Sequence, residues 1–183
     1  MAGLPGFGAP APGFDEPLEI LHACHGRIQD QLATLEKLVP HLARAGCDVP
    51  AREAARAVLR YFDLAGAQHH QDEEEDLFPL LRRYAGERGR DDVRAALDEL
   101  AREHRSMEEI YETIRRRLDD VAEARSARLD IEEVAHFAWV YRRHIMREEA
   151  MAFGFAAEAL TQAERAALGA RMAQRRGDRK SVV

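Results

Sequence analysis

Residues 59–84 read LRYFDLAGAQHHQDEEEDLFPLLRRY. Taken at alternating steps of three and four, the stretch gives Leu59, Phe62, Gly66, His69, Glu73, Leu77, Leu80 and Tyr84. That is the apolar stripe of a bundle helix, broken by a histidine and, one turn later, by a glutamate. An unpaired carboxylate in an apolar seam is costly, so Glu73 needs a cation or a buried donor. His69 lies one turn away on the same face, with Cβ atoms about 5–6 Å apart. That spacing suits two ligands converging on one metal.

The same stripe recurs three times. Upstream it reads Leu21, His25, Ile28, Leu32, Leu35, Val39, Leu42, with His25 the only polar member. Downstream it reads Leu97, Leu100, His104, Met107, Tyr111, Ile114, Leu118, Val121, with His104 as the exception. The last repeat is Val134, Phe137, Tyr141, His144, Glu148, Met151, Phe155, where a histidine is again followed by a glutamate four residues on. Two single histidines and two His-x-x-x-Glu pairs thus alternate along the chain. The remaining histidines, His22, His41, His70 and His136, fall at the stripe edge, near a helix end or on polar faces.

No strand-like alternation of period two is present, so the chain reads as all-α. The first helix opens near Asp15-Glu16-Pro17 and stops at Gly46, with Pro40 expected to kink it. The second starts after Asp48 and runs to about Tyr84, with Pro79 expected to perturb its last turns. After a turn at 86–90, the third runs from Asp91 into 123–128. Capping boxes at Asp130/Glu133 and Thr161/Glu164 open the fourth helix and a short fifth. Four helices of roughly 30 residues, each about 40–50 Å long, joined by short loops predict an antiparallel up-down-up-down four-helix bundle with a short fifth C-terminal helix. Residues 1–14 hold four glycines and three prolines and read as a disordered arm. The bundle is expected over 15–160, and a short helix with a basic, fraying tail (Arg175 to Lys180) over 161–183. Trp139, off the stripe, is expected to pack against the fifth helix.

Residues at equal height in an antiparallel hairpin are symmetric about its loop. The midpoint of 25 and 69 is 47, that of 73 and 104 is 88.5, that of 104 and 144 is 124, and that of 104 and 148 is 126. Each falls in an expected loop. His25, His69, Glu73, His104, His144 and Glu148 therefore share one level and form the candidate metal site. Four imidazoles and two carboxylates without thiolate suit iron, manganese or zinc. Six donors exceed the four of a structural zinc, and two carboxylates able to bridge suggest two metals about 3–4 Å apart. Ferritin-like di-iron sites use four glutamates and two histidines. The inverted ratio here raises the iron potential and favours binding a small oxidant over hydroxylating a substrate.

Composition narrows the alternatives. The chain has 183 residues, 46% hydrophobic and 33% charged, with a net charge of −6. That supports one domain with a real core and argues against a nucleic-acid binder. No run approaches the roughly 18 apolar residues of a membrane span, and the N-terminus has no secretory signal, so a cytoplasmic protein, monomeric or homodimeric, is expected. Two cysteines, Cys24 and Cys47, make no disulfide framework.

The blocks His69-His70-Gln71-Asp72-Glu73-Glu74 with Leu77-Phe78-Pro79, and His144-Ile145 with Glu148-Glu149, resemble the hemerythrin-like (HHE cation-binding) family. Cys24-His25-Gly26-Arg27-Ile28 and Glu103-His104 are similar to its first- and third-helix signatures. The resemblance covers about residues 16–160. It implies an antiparallel four-helix bundle with a non-haem di-iron centre, bridged by the two glutamates and an oxo or hydroxo group. Members bind O2, sense O2, NO or redox state, store iron, or protect against peroxide and nitrosative stress. Oxygen-carrying members have a further third-helix histidine where this chain has Leu100, so an exchangeable site is expected rather than reversible O2 transport. Glu108 as an added ligand, Glu149 in place of Glu148, and His70 as a ligand in place of or beside His69 are the open alternatives. The leading expectation is a di-iron protein handling O2, NO or peroxide. Iron storage or delivery, a peroxide-decomposing or NO-reducing enzyme, and a metal-stapled scaffold compete with it, and the residues leave open whether turnover occurs.

Overall fold

Pro17 at the first turn and Gly46 just past the last bound helix α1, Pro17–Ala45. Gly46 takes a φ of 67°, the left-handed conformation that ends a helix without a side-chain clash. The computed structural model describes residues 12–177, so residues 1–11 of the expected arm and 178–183 of the basic tail lie outside the described residues. Four further helices follow: α2 over 49–87, α3 Asp91–Ala122, α4 over 131–159 and α5 Gln162–Arg175. No strand occurs among the described residues. Asp48 caps α2 through Ala51 N–H, and Thr161 and Glu164 form the expected capping box of α5. Asp130 caps α4 through the N–H groups of Glu132 and Glu133, while the Glu133 carboxylate turns to Arg117 of α3 instead of closing a box.

Contacts of α1 with α2 and α4, and of α3 with α2 and α4, join the four long helices into a helical bundle. Pro40 lies on the exposed face of α1 and does not interrupt it. The irregularities come elsewhere. Helix α2 widens into π-helical turns at Tyr61–Gly66 and Asp72–Leu77, and α4 does so at Glu149–Phe153. Pro79 follows the second π turn directly, and the irregularity lies before it, at Asp72–Leu77, while the last turns over Phe78–Glu87 are regular. A π turn holds one extra residue, and so moves the buried face on by one position. Beyond Glu73 the buried row is Leu77, Phe78, Leu81, Ala85, whereas a constant period put Leu80 and Tyr84 there. Beyond Glu148 it is Ala152, Phe155, Ala156, Ala159, in place of Met151.

The apolar core falls into two clusters. One gathers Ile28, Phe62, Met107, Phe137 and Tyr141 with the residues toward the 46–48 and 123–130 loops. The other gathers Leu21, Cys24, Leu77, Leu100 and Ala152 with the residues toward the 88–90 turn. Between them, on every long helix, lie the seam histidines and glutamates.

Helix α5 packs on α1 and on the second π turn of α2. Arg175 and Arg176 both donate to the fully buried carboxylate of Asp72, and Arg175 and Arg171 donate to Asp76, at 2.9 Å each. These two terminal arginines are thus ion-paired, not frayed. Trp139 is not packed as expected: it is 56% exposed, with Arg143 over its ring and His136 beside it on the outer face of α4. Phe14 joins the second cluster, and its carbonyl lies where a Cβ on Gly169 would be, 1.7 Å away. Only glycine permits that approach.

Two outcomes follow. Replacing both Arg175 and Arg176 by alanine leaves Asp72 buried without its counter-ions and should cost about 3–5 kcal/mol in a denaturant titration. Gly169→Ala should displace the Phe14 segment, costing about 1–3 kcal/mol and speeding proteolysis ahead of α1.

Candidate metal centre

The π turns sit at the ends of the two His-x-x-x-Glu segments. His69 precedes the turn that carries Glu73, and Glu148 immediately precedes the turn at Glu149–Phe153. Irregular turns of this kind often mark functional positions, because they re-aim side chains without ending the helix.

The structure brings all six seam residues together, each buried to 2% exposure or less. One group of donor atoms comprises His25, His69, Glu73 and Glu148, and a second comprises His104, His144 and Glu148; within each group the atoms lie within 4.8 Å of one another. Glu148 Oε2 is 3.2 Å from His25 Nε2 and 3.6 Å from His144 Nε2. Glu73 reaches His69 Nε2 at 3.0 Å through Oε1 and His104 Nε2 at 3.5 Å through Oε2. Both carboxylates therefore span the two groups.

A second ring of carboxylates orients the imidazoles. His25 Nδ1 lies 2.9 Å from Glu149, His104 Nδ1 2.7 Å from Glu74, and His144 Nδ1 3.0 Å from Glu103. A carboxylate accepts, so each Nδ1 carries the proton and each Nε2 turns its lone pair inward. His104 Nε2 and His144 Nε2 then face each other at 3.0 Å. Two lone pairs at that distance repel unless a positive charge lies between them. Both oxygens of Glu73, Oε1 of Glu148 and Nδ1 of His69 have no hydrogen-bond partner although buried. Inward lone pairs, orphaned carboxylate oxygens and a nitrogen–oxygen donor set fit a group of borderline-to-hard metal cations.

Without a cation the protonation states divide. Burial, reinforced by the neighbouring imidazoles, holds His69 well below its ordinary value, and burial and His144 hold His104 down at about 3. Both are neutral near pH 7, as ligands must be. Burial followed by the charge of Glu148 pushes Glu73 well above the carboxylate range. Burial lowers His25 too, but its hydrogen bonds to the Glu148 and Glu149 carboxylates, with their charges, outweigh it and the net shift is upward. Glu103, bonded to His144 and held by Arg143 and Arg147, is lowered to about 2.

The remaining candidates separate. Glu148 is inside and Glu149 is in the outer ring, 34% exposed, on His25. Glu108 is exposed and apart from both donor groups. Leu100 is buried in the second apolar cluster and offers no donor. His70, expected on a half-polar face, is buried and stacks on His104 with centroids 4.0 Å apart. It and Tyr141 line a cleft of about 550 Å³ bordered by Phe62, Asp63, Gly66 and Glu108. The roles of Glu74 and Glu103 were not foreseen. Their signal was the acid beside each inner residue: Glu74 follows Glu73, Glu103 precedes His104, and Glu149 follows Glu148.

The lowered histidines have a pH consequence. Between the ordinary histidine value of 6.5 and about 3, the unfolded chain binds a proton at position 104 that the folded, metal-free chain does not. Stability of the metal-free protein contributed by this group is therefore lost as pH falls through that window. Its melting temperature should drop between about pH 7 and about pH 5, and His104→Leu should flatten the slope.

The comparisons agree with this geometry. A relative from Haemophilus influenzae, described as "Uncharacterized protein", is 28% identical over 163 residues, covering 89% of this chain and 91% of the relative. The family model described as "Hemerythrin HHE cation binding domain" matches residues 16–156, a span that contains all six inner residues and all three outer glutamates. No helix among the described residues is long and apolar enough to cross a membrane. The chain belongs to the hemerythrin HHE cation-binding family.

Proposed function

We propose that the chain is a non-haem di-iron protein that binds O2, NO or peroxide, for sensing or for protection against oxidative and nitrosative stress. Its four long helices run antiparallel, up-down-up-down, as the short connections at 46–48, 88–90 and 123–130 favour. The observation that carries the reading is the double reach of Glu73 and Glu148. Each touches a histidine of both donor groups, as a bridging carboxylate does between two cations. His25 and His69 would hold one iron, and His104 and His144 the other. Bound iron supplies affinity for small oxidants and one-electron redox capacity; manganese or zinc would fit the donors but supply different chemistry.

The chain's own residues set the terms of that chemistry. Glu149, Glu74 and Glu103 hold three imidazoles by Nδ1 and keep their Nε2 lone pairs on the centre. Leu100, an apolar residue packed in the second cluster, supplies no donor to the His104 and His144 side, where a bound metal would keep a position for a small ligand. The cleft ending on His70 and Tyr141 approaches the centre as far as the His70 ring, which is stacked on His104 and would have to turn aside to admit a ligand. The apolar clusters above and below keep bulk water out of the layer.

Metal content and an optical spectrum test the reading. Protein from iron-replete cells should hold about two iron ions per chain and show an oxo-to-iron band that changes reversibly with O2 or NO. His69→Ala or Glu73→Ala should remove most of the iron. One zinc per chain from the same cells would overturn the proposal. Steady peroxide consumption without a reversible spectral change would instead assign the centre to an enzyme.

A further inference from the structure

A third cluster of donor atoms lies outside the layer. His22 Nδ1 is 3.1 Å from Glu149 Oε1, the same oxygen that lies 2.9 Å from His25 Nδ1. The donor atoms of His22, His25 and Glu149 lie within 4.8 Å of one another. The three differ sharply in exposure: the side chains of His22, Glu149 and His25 are 61%, 34% and 2% exposed. His22 and His25 are three residues apart on α1, with ring centroids 6.4 Å apart. The other nitrogen of His25 faces the buried Glu148. One imidazole ring is thus all that separates a solvent-facing histidine–carboxylate pair from the inner centre.

The surroundings favour a cation. His22 lines a surface cavity of about 400 Å³ together with Asp15, Glu16, Glu19, Phe153 and Arg165. Three carboxylates against one guanidinium give that cavity a negative field, which concentrates cations at its wall. Phe153, on the same wall, stacks on His25 with centroids 5.2 Å apart and planes 2° apart. The outer carboxylates are also not equivalent. Glu103 is held by Arg143 and Arg147, whereas Glu149 is shared by two imidazoles, one of them in solvent.

We propose that His22 and Glu149 form a loading site for a divalent first-row metal ion, from which the ion passes His25 into the buried centre. The inference rests on the reading of that centre as a metal site. Two protein ligands with water completing the shell bind weakly, as a transfer site requires. An ion that engages Glu149 takes over the oxygen that holds His25 Nδ1, which loosens His25 at the moment the ion must pass. The pair also explains an exposed histidine one turn from a ligand histidine, which the inner centre does not use.

Cobalt(II) uptake by the metal-free full-length chain tests the proposal, followed by visible absorption in a stopped-flow instrument, with release measured by excess chelator. His22 acts on the path and not in the final site, so His22→Ala and His22→Gln should slow uptake and release by the same factor, about tenfold. The equilibrium affinity of the centre should then be unchanged. At high cobalt the wild type should bind one additional weak equivalent that both variants lack. An unchanged uptake rate, or a weaker affinity arising from faster release alone, would mean that His22 merely braces Glu149 and His25, and would overturn the loading site. A wild-type chain that takes up no cobalt would overturn the metal reading of the centre, and the loading site with it. The exposure of His22 leaves folding intact in both variants, which a melting curve of each verifies.

Discussion

Two carboxylates with no solvent exposure, Glu73 and Glu148, face each other in the middle of the bundle. Like charges at that depth repel strongly, and water is not there to screen them. Everything around them answers that problem. Four imidazoles present nitrogen atoms to them, three further carboxylates fix three of those imidazoles from behind, and two apolar clusters close the layer from above and below. Without a cation, burial and Glu148 drive Glu73 toward its protonated form, burial drives His69 and His104 toward neutrality, and Glu148 and Glu149 hold His25 toward its charged form. The fold is thus a set of four long apolar stripes organised about one polar plane, and the plane is where its chemistry lies.

The inner residues were legible in the sequence because burial and polarity conflict there. A histidine or glutamate in an otherwise apolar row is visible from spacing alone, and the loop midpoints placed all six at one height. The outer ring was less legible. Glu74, Glu103 and Glu149 are adjacent to inner residues, and adjacent residues on a helix point about 100° apart, so each reaches a neighbouring helix rather than its own face. A reading confined to one stripe per helix cannot see a contact made between stripes. His70 was misjudged for a related reason: the helix is widened on both sides of it, and a buried ring stacked on His104 takes the place of a half-polar one.

The π turns account for the rest of the mismatch. A fixed period carried the apolar row correctly up to Glu73 and Glu148 and then missed by one, to Leu81 in place of Leu80 and to Ala152 in place of Met151. The first slip follows Leu77, at the end of the turn that carries Glu73, and the second falls in the turn that begins just after Glu148. The extra residue lets the carboxylate turn inward while the helix continues, and the helix resumes with its face rotated. Pro79 lies inside the continuous helix, and the wider turn just before it falls where a proline ring meets the carbonyl one turn back.

The pairing of Asp72 with Arg175 and Arg176 bears on where the folding unit ends. The family match stops at residue 156, and the six inner residues all lie before it. Yet Asp72, the immediate neighbour of Glu73, draws its counter-ions from the far end of α5. A chain trimmed to the family boundary would keep every donor of the centre and lose the charges that neutralise the segment carrying two of them. Homology and electrostatic closure therefore draw different borders around this protein, and a minimal version that keeps Asp72 paired follows the second.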